Sequence, residues 1–221
     1  MATIFTDFDQ SIIWRHEQVA ARVIEALKKR GFHASYCKTA LDAREQVLNL
    51  IPSGATVGIG GSVTIRKMGL IEEIKNRGHE IFDHWIPGIS QEEDLAIRRR
   101  QLTCDVFLTG CNAITLDGRL INIDFTGNRV AAMIFGPKKT ILVAGINKIV
   151  RDVEAGLRRI KDVATPLNSH RRQWGKACAV AGHCVECNLP DKSCRVTTII
   201  EMCPKGNPEF YIFLVGEECG Y

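Results

Sequence analysis

The chain has 221 residues, 45% hydrophobic and 24% charged, the balance of an ordinary globular protein with room for one substantial core. Basic residues outnumber acidic ones by 29 to 25, and this net charge of +4 forms no long basic tract, which argues against nucleic-acid binding. The N-terminus runs through Asp7, Asp9, Arg15 and Glu17 without an apolar signal core, and no apolar run approaches the about 20 residues of a membrane helix, so a cytoplasmic protein with no membrane span is expected.

Residues 9–30 space Ile12, Ile13, Val19, Ala20, Val23, Ile24 and Leu27 as one face of a helix, stopped by Gly31. A short strand at 32–37 and a helix over 40–50 follow. Residues 56–59 read as a buried strand running into Gly60-Gly61-Ser62, then a helix over 64–75 closed near Gly78. A strand at 80–82 and a charged helix at 91–102 continue the alternation. Next come a strand at 105–109 and a hairpin, 113–116 with 120–123, turning at Asp117-Gly118. A short buried helix (127–135), an apolar strand (140–144) and an amphipathic helix (150–163) complete the pattern. Strand–helix alternation predicts an α/β fold, three layers around a mostly parallel sheet. Residues 166–208 lose the pattern and hold the cysteines, and 210–215 supply a last strand. The expected organisation is one domain over 1–221: an α/β core (1–165), a Cys-rich appendage (166–208), and a final strand and tail (209–221).

Gly60, Gly61, Ser62 and Thr64 sit where a strand gives way to a helix. Glycine there lets backbone approach a ligand, and Ser62 and Thr64 can cap the helix or donate to an anion. The loop is neither a dinucleotide fingerprint, since position 63 is Val, nor a P-loop. A plain capped turn carries nearly equal weight. A second group gathers Asn112, Asn122, Asp124, Asn128 and Arg129 around Gly118 and Gly127. Each alone reads as turn chemistry; together, near strand ends, they resemble a ligand site. Asn147 and Lys148 follow the strand at 140–144, where Lys148 can meet an anion or simply be solvated. His79, His84 and His170 stand apart from any obvious nucleophile, and the arginines at 98–100 and 171–172 read as solvated.

Four of the nine cysteines fall within seventeen residues as Cys178-x5-Cys184-x2-Cys187-x6-Cys194. An odd total in a cytoplasmic chain favours free thiols or metal ligation over disulfides. Four soft donors suit an Fe–S cluster or Zn, and the spacing does not choose between them. His183 reads as a loop histidine able to replace one thiol, and Cys37, Cys104 and Cys203 read as incidental.

Gly60-Gly61-Ser62-x-Thr64, Asn112-Ala113-Ile114-Thr115-x-Asp117-Gly118, Gly127-Asn128-Arg129-Val130, Phe135-Gly136-Pro137-Lys138-Lys139 and Asn147-Lys148-Ile149-Val150 together resemble the LUD-domain family, the lactate-utilisation group. The likeness runs from the first helix to Gly216-Glu217-Glu218-x-Gly220-Tyr221, and the four-cysteine stretch resembles a subset of the family. Cys219 departs from the usual Leu, and Cys111 occupies a position expected to vary, as a buried core thiol or a reactive one. The resemblance implies a fold like the sugar-phosphate isomerase and CoA-transferase superfamily, and oxidation of L-lactate alongside iron–sulfur partner subunits. It implies no catalytic residue. The leading expectation is a component of lactate oxidation that binds a small anionic ligand through Gly60–Thr64, the 112–129 region and Lys148, with Fe–S or Zn on the cysteines. The rivals are an isomerase or CoA-transferase-type enzyme acting on a phosphorylated or CoA-linked substrate, and a non-catalytic scaffold subunit. A homo-oligomer is compatible with the chain.

Overall fold

The computed structural model describes residues 8–188, 190 and 192–221, with only the backbone of Phe8; Asp7, part of the charged N-terminus noted above, lies outside them. Helix α1 (Phe8–Lys29) presents Ala20, Val23 and Leu27 to the core and ends at Gly31, whose φ of 85° suits glycine. Strand β1 (His33–Cys37) leads to α2 (Ala40–Asn49), started by a capping box in which Thr39 and Asp42 satisfy each other's backbone N–H. Strand β2 (Val57–Ile59) then meets the glycine loop. The helix expected over 64–75 is two helices, α3 (Val63–Lys67) and α4 (Leu70–Asn76), because Gly69 at φ 65° turns the chain between them. Next come β3 (Ile81–Asp83), α5 (Gln91–Arg100) behind a Ser90–Glu93 capping box, and β4 (Val106–Thr109).

Strands β5 (Ala113–Thr115) and β6 (Leu120–Asp124) form the expected hairpin, followed by α6 (Asn128–Ile134), β7 (Lys139–Gly145), a 3-10 turn (Ile146–Lys148) and β8 (Ile149–Val150). The helix expected over 150–163 starts later and runs further, as α7 (Val153–Arg159), a π turn (Ile160–Ala164) and α8 (Thr165–Arg171). Pro166 is tolerated where these segments join because it lies in the first turn of α8. Within 166–208 the structure therefore places helix, a short α9 (Ala177–Ala181) and strand β9 (Val196–Ile200), before β10 (Glu209–Val215).

Six strands form one sheet in the order β1-β10-β7-β4-β2-β3, every pair parallel. Its side chains alternate between two cores. Val57, Ile59, Leu108, Ile141 and Val143 meet α2, α3 and α4 on one face; Phe107, Leu142, Ala144 and Ile212 meet α1 and α6 on the other. The hairpin lies in a second, four-stranded sheet, β8-β5-β6-β9, which places Ile114 and Leu120 in the α1 core and turns Ala113 and Ile121 toward the π turn. Among the described residues, no helix is long and apolar enough to cross a membrane.

Gly118, at φ 86°, fastens the second sheet to α1. A Cβ there would sit 2.9 Å from backbone atoms of Ala26 and Leu27. Gly118→Ala combines a disfavoured φ with a clash against backbone, so it is expected to cost about 2 kcal/mol or more, read as a lower Tm without loss of helical circular dichroism.

Candidate anion-binding cleft

A cavity of about 950 Å³ opens beyond the C-terminal ends of β2, β4 and β7, where ligand sites of parallel sheets lie. The glycine loop after β2, the 110–112 segment after β4 and Lys148 after β7 form its floor; Ala164–Arg172, Trp174, Lys176 and the 193–195 segment form a wall. The lining holds six basic side chains (Arg98, Arg129, Lys148, Arg172, Lys176 and Arg195) against two acidic ones, Asp94 and Asp124. That excess equals the formal net charge of the whole chain, so an otherwise mild charge is focused in one place.

Lys148 is the deepest of these cations, 4% exposed. Its Nζ lies 3.2 Å from Thr64 Oγ1, and among the described residues it has no carboxylate partner. Burial, reinforced by the charges of Arg159 and Arg129, pulls its amine down to about 8, although the thiols of Cys111 and Cys219 act the other way. Thr64 in turn donates to Cys219 O at 3.0 Å. Glycine keeps the amine accessible: a Cβ on Gly110 or Gly220 would lie 3.7 or 3.6 Å from Nζ, and the one on Gly220 would also meet Thr64 Oγ1 at 2.6 Å.

Arg129 supplies the neighbouring cation. It donates to Asp124 Oδ1 from Nε at 2.8 Å, to Asn112 Oδ1 at 2.7 Å and to Gly110 O at 3.3 Å. Asp124 also accepts from Val130 N–H, which ties β6 to the start of α6. Arg98 is held bidentate by Asp94 and donates to Asn128 Oδ1 at 2.8 Å. Arg159 braces the floor from behind, donating to the carbonyls of Asn147 and Asn112.

The expected ligand residues thus fall into two sets. Gly60, Gly61, Ser62, Thr64, Asn112, Asp124, Asn128, Arg129 and Lys148 line the cleft; Asn122 and Asn147 do not. Asn122 is fully buried and accepts from Asn112 N–H, while Asn147 clasps the C-terminal tail at Cys219 N–H and Gly220 O. Ser62 caps α3 by accepting from Ile65 N–H. That helix has only five residues, so the cleft's positive potential comes from side chains rather than from a helix end.

Several cleft residues escaped the sequence reading. Arg98 and Arg172, taken there as solvated, line the cavity, and Arg172 is further burdened by burial and by the nearby Arg171 and Arg98. His84, taken as isolated, is 6% exposed, with Nδ1 3.0 Å from the Gln101 amide nitrogen. Burial holds the imidazole down to about 4, so it is neutral at pH 7, and its Nε2 lies beside Gly61. Trp85 Nε1 is a buried donor with no acceptor among the described residues, and it also faces Gly61.

The cysteine quartet stands behind the cleft wall. Cys194 Sγ is 3.7 Å from Thr165 Oγ1, and Thr165, Ser193 and Arg195 all line the cavity. Burial raises the Cys194 thiol, and Cys184, Cys178 and Cys187 each add to the rise, which places all four thiols in one corner. They gather without closing: among the described residues no three His, Cys, Asp or Glu side chains are arranged to hold a metal. Among the described residues the four cysteines form no disulfide, with Cys178 buried and the others half-buried, and His183 turns onto Ala181 O. Positions 189 and 191 of this loop lie outside the described residues.

A buried, unpaired ammonium opposes folding. Lys148 binds its proton less tightly in the folded chain than at its ordinary value of 10.5, so its penalty is complete below about 8 and disappears as pH rises toward 10.5. In ligand-free protein, Lys148→Met is therefore expected to be more stable than the wild type at pH 7 by about 2 kcal/mol, net of the lost Thr64 contact. The gap should close by about pH 10. A variant less stable at every pH would contradict an unpaired charge.

Comparison with known proteins then places this geometry. The family profile of the LUD domain matches residues 20–215. Among solved structures, a DUF162 family protein from Deinococcus radiodurans has the same fold, with a TM-score of 0.55 at 15% identity over 91% of this chain and 98% of that one. No curated protein matches. The match across nearly the whole α/β unit shows that the chain belongs to the LUD domain family, a family associated with lactate utilisation.

Proposed function

We propose that the chain is a cytoplasmic component of L-lactate oxidation whose cleft binds a small organic acid, a 2-hydroxy or 2-oxo carboxylate. The observation that carries this reading is the unpaired Lys148 ammonium on the cavity floor. A carboxylate seated on it would supply the missing counter-charge, with Arg129 alongside and the free N–H of Trp85 as a further donor. Asp124 and Asp94 partly offset Arg129 and Arg98, and Arg129 shares the ligand's carboxylate with Lys148. His84, neutral with Nε2 beside Gly61, suits a hydrogen bond to the ligand rather than a second positive charge.

Cavity size favours a second reading. About 950 Å³ is far more than a three-carbon acid fills, and the cationic rim at Arg172, Lys176 and Arg195 would suit a phosphorylated or CoA-linked substrate. Thermal-shift titration separates the two readings. A ligand at 100 times its Kd adds about 2.7 kcal/mol of stability. Lactate, pyruvate or oxalate should raise the Tm of the wild type and leave Lys148→Met unmoved. A shift with sugar phosphates or CoA esters alone would favour the isomerase or transferase reading, and no shift with either class would leave a scaffold subunit that acts through protein partners.

We assign the cysteine corner to a soft metal on the chemistry of its four thiol donors. Cys178, Cys184, Cys187 and Cys194 would hold a structural zinc, which pins the cleft wall, or an Fe–S cluster, which exchanges electrons with iron–sulfur partner subunits. Protein prepared without oxygen should carry stoichiometric metal. Brown colour with absorbance near ~400 nm identifies a cluster, and colourless zinc-loaded protein removes electron transfer. Metal-free protein with four alkylatable thiols would remove the centre altogether.

A further inference from the structure

We propose that Lys148 is a covalent nucleophile, its amine forming a reversible imine with the carbonyl of a 2-oxo acid bound in the cleft. The proposal rests on the organic-acid reading of this site and goes further, from recognition to chemistry. The geometry is that of an amine held for attack. Nζ lies on the floor of a cavity, uses one hydrogen bond to Thr64 and has no carboxylate partner among the described residues. Gly110 and Gly220 leave its approach open, since a side chain at either would stand within van der Waals range of Nζ.

A 2-oxo acid also needs its carboxylate held one bond from the reacting carbon. Arg129 donates to the carbonyl of Gly110, the residue beside the amine, so cation and amine converge on one point of the floor. Ser62 Oγ stands near the same glycine, 2.8 Å from where its Cβ would be. Its lone pair takes the Ile65 N–H, which leaves its own O–H to donate to the ketone oxygen.

Lysine is nucleophilic only when neutral, and burial beside two guanidiniums supplies that form. At pH 8 about half of Lys148 is unprotonated, against well under one per cent of an exposed lysine, roughly a hundredfold advantage in free amine. The step balances without a co-reactant. The Nζ lone pair attacks the carbonyl carbon, and the ketone oxygen takes up the proton released by nitrogen to give a carbinolamine. Loss of water then leaves a neutral imine, which takes up a proton from solvent, and hydrolysis reverses the sequence and returns the acid unchanged.

Reductive trapping on the full-length protein tests this. The protein is incubated at pH 8 with pyruvate and sodium cyanoborohydride, whose hydride converts an imine to a stable secondary amine, and its peptides are mapped by mass spectrometry. The expected result is one carboxyethyl group on Lys148, dependent on both reagents and enriched roughly a hundredfold over exposed lysines. Excess oxalate, which binds as an anion but cannot form the imine, should suppress it. Lys148→Arg keeps the charge, so it should lose the adduct while pyruvate still raises its Tm. If pyruvate stabilises the wild type and Lys148 stays unmodified, or if adducts scatter evenly over surface lysines, the imine is refuted and the binding reading stands. If pyruvate neither stabilises nor modifies the protein, both readings fall.

Discussion

A positive charge buried without a negative one shapes the rest of this molecule. Removing an ammonium from water costs several kcal/mol unless a partner compensates, and folded chains normally pair such a group or neutralise it. Lys148 has a threonine hydroxyl instead, at the bottom of a cavity that already carries excess positive charge. The surrounding contacts hold that arrangement in place. Arg159 fastens the carbonyls of Asn147 and Asn112, Asn147 clasps the tail, and Thr64 links the tail to Lys148. Together these bonds fix an unfavourable charge at a defined position.

The parallel sheet makes the convergence possible. Three neighbouring strands, β2, β4 and β7, all end on the same side, so the loops that follow them meet although they lie far apart in the chain. Glycine sets how closely they meet. Gly110 gives Ser62 Oγ room, Gly61 at φ 75° keeps the loop off His84 and Trp85, and Gly145 lets the tail lie against β7, where a Cβ would stand 2.3 Å from Cys219 N. The segment that carries Cys194 contributes Ser193 and Arg195 to the wall of the same cleft.

Local signals were legible in the sequence, and long-range ones were not. The stop at Gly31 and the Asp117-Gly118 hairpin each depend on neighbours within a few residues, so pattern alone revealed those elements. The second sheet was hidden because β8 has only two residues and β6 pairs with β9 from beyond α6, α7, α8 and α9. Val196–Ile200 alternates partly buried and exposed residues as an edge strand should, but the cysteines beside it drew the reading elsewhere. Among cleft-lining residues, Lys148 and Arg129 were singled out through turn chemistry. Arg98, Arg172 and His84 were not, because each reads as surface until the fold brings it over the cleft, and Asn122 and Asn147 lie outside the lining with their side-chain oxygens accepting backbone N–H groups.

The central claim is that the cleft is built around an ammonium awaiting an anion. The direct measurement is the titration of the Lys148 amine itself, by competitive chemical labelling or by nitrogen NMR, with and without saturating oxalate. The account predicts a value near 8 in the free protein, raised toward the ordinary lysine range when oxalate occupies the cleft. An ordinary value in the free protein, or one that oxalate does not move, would contradict it.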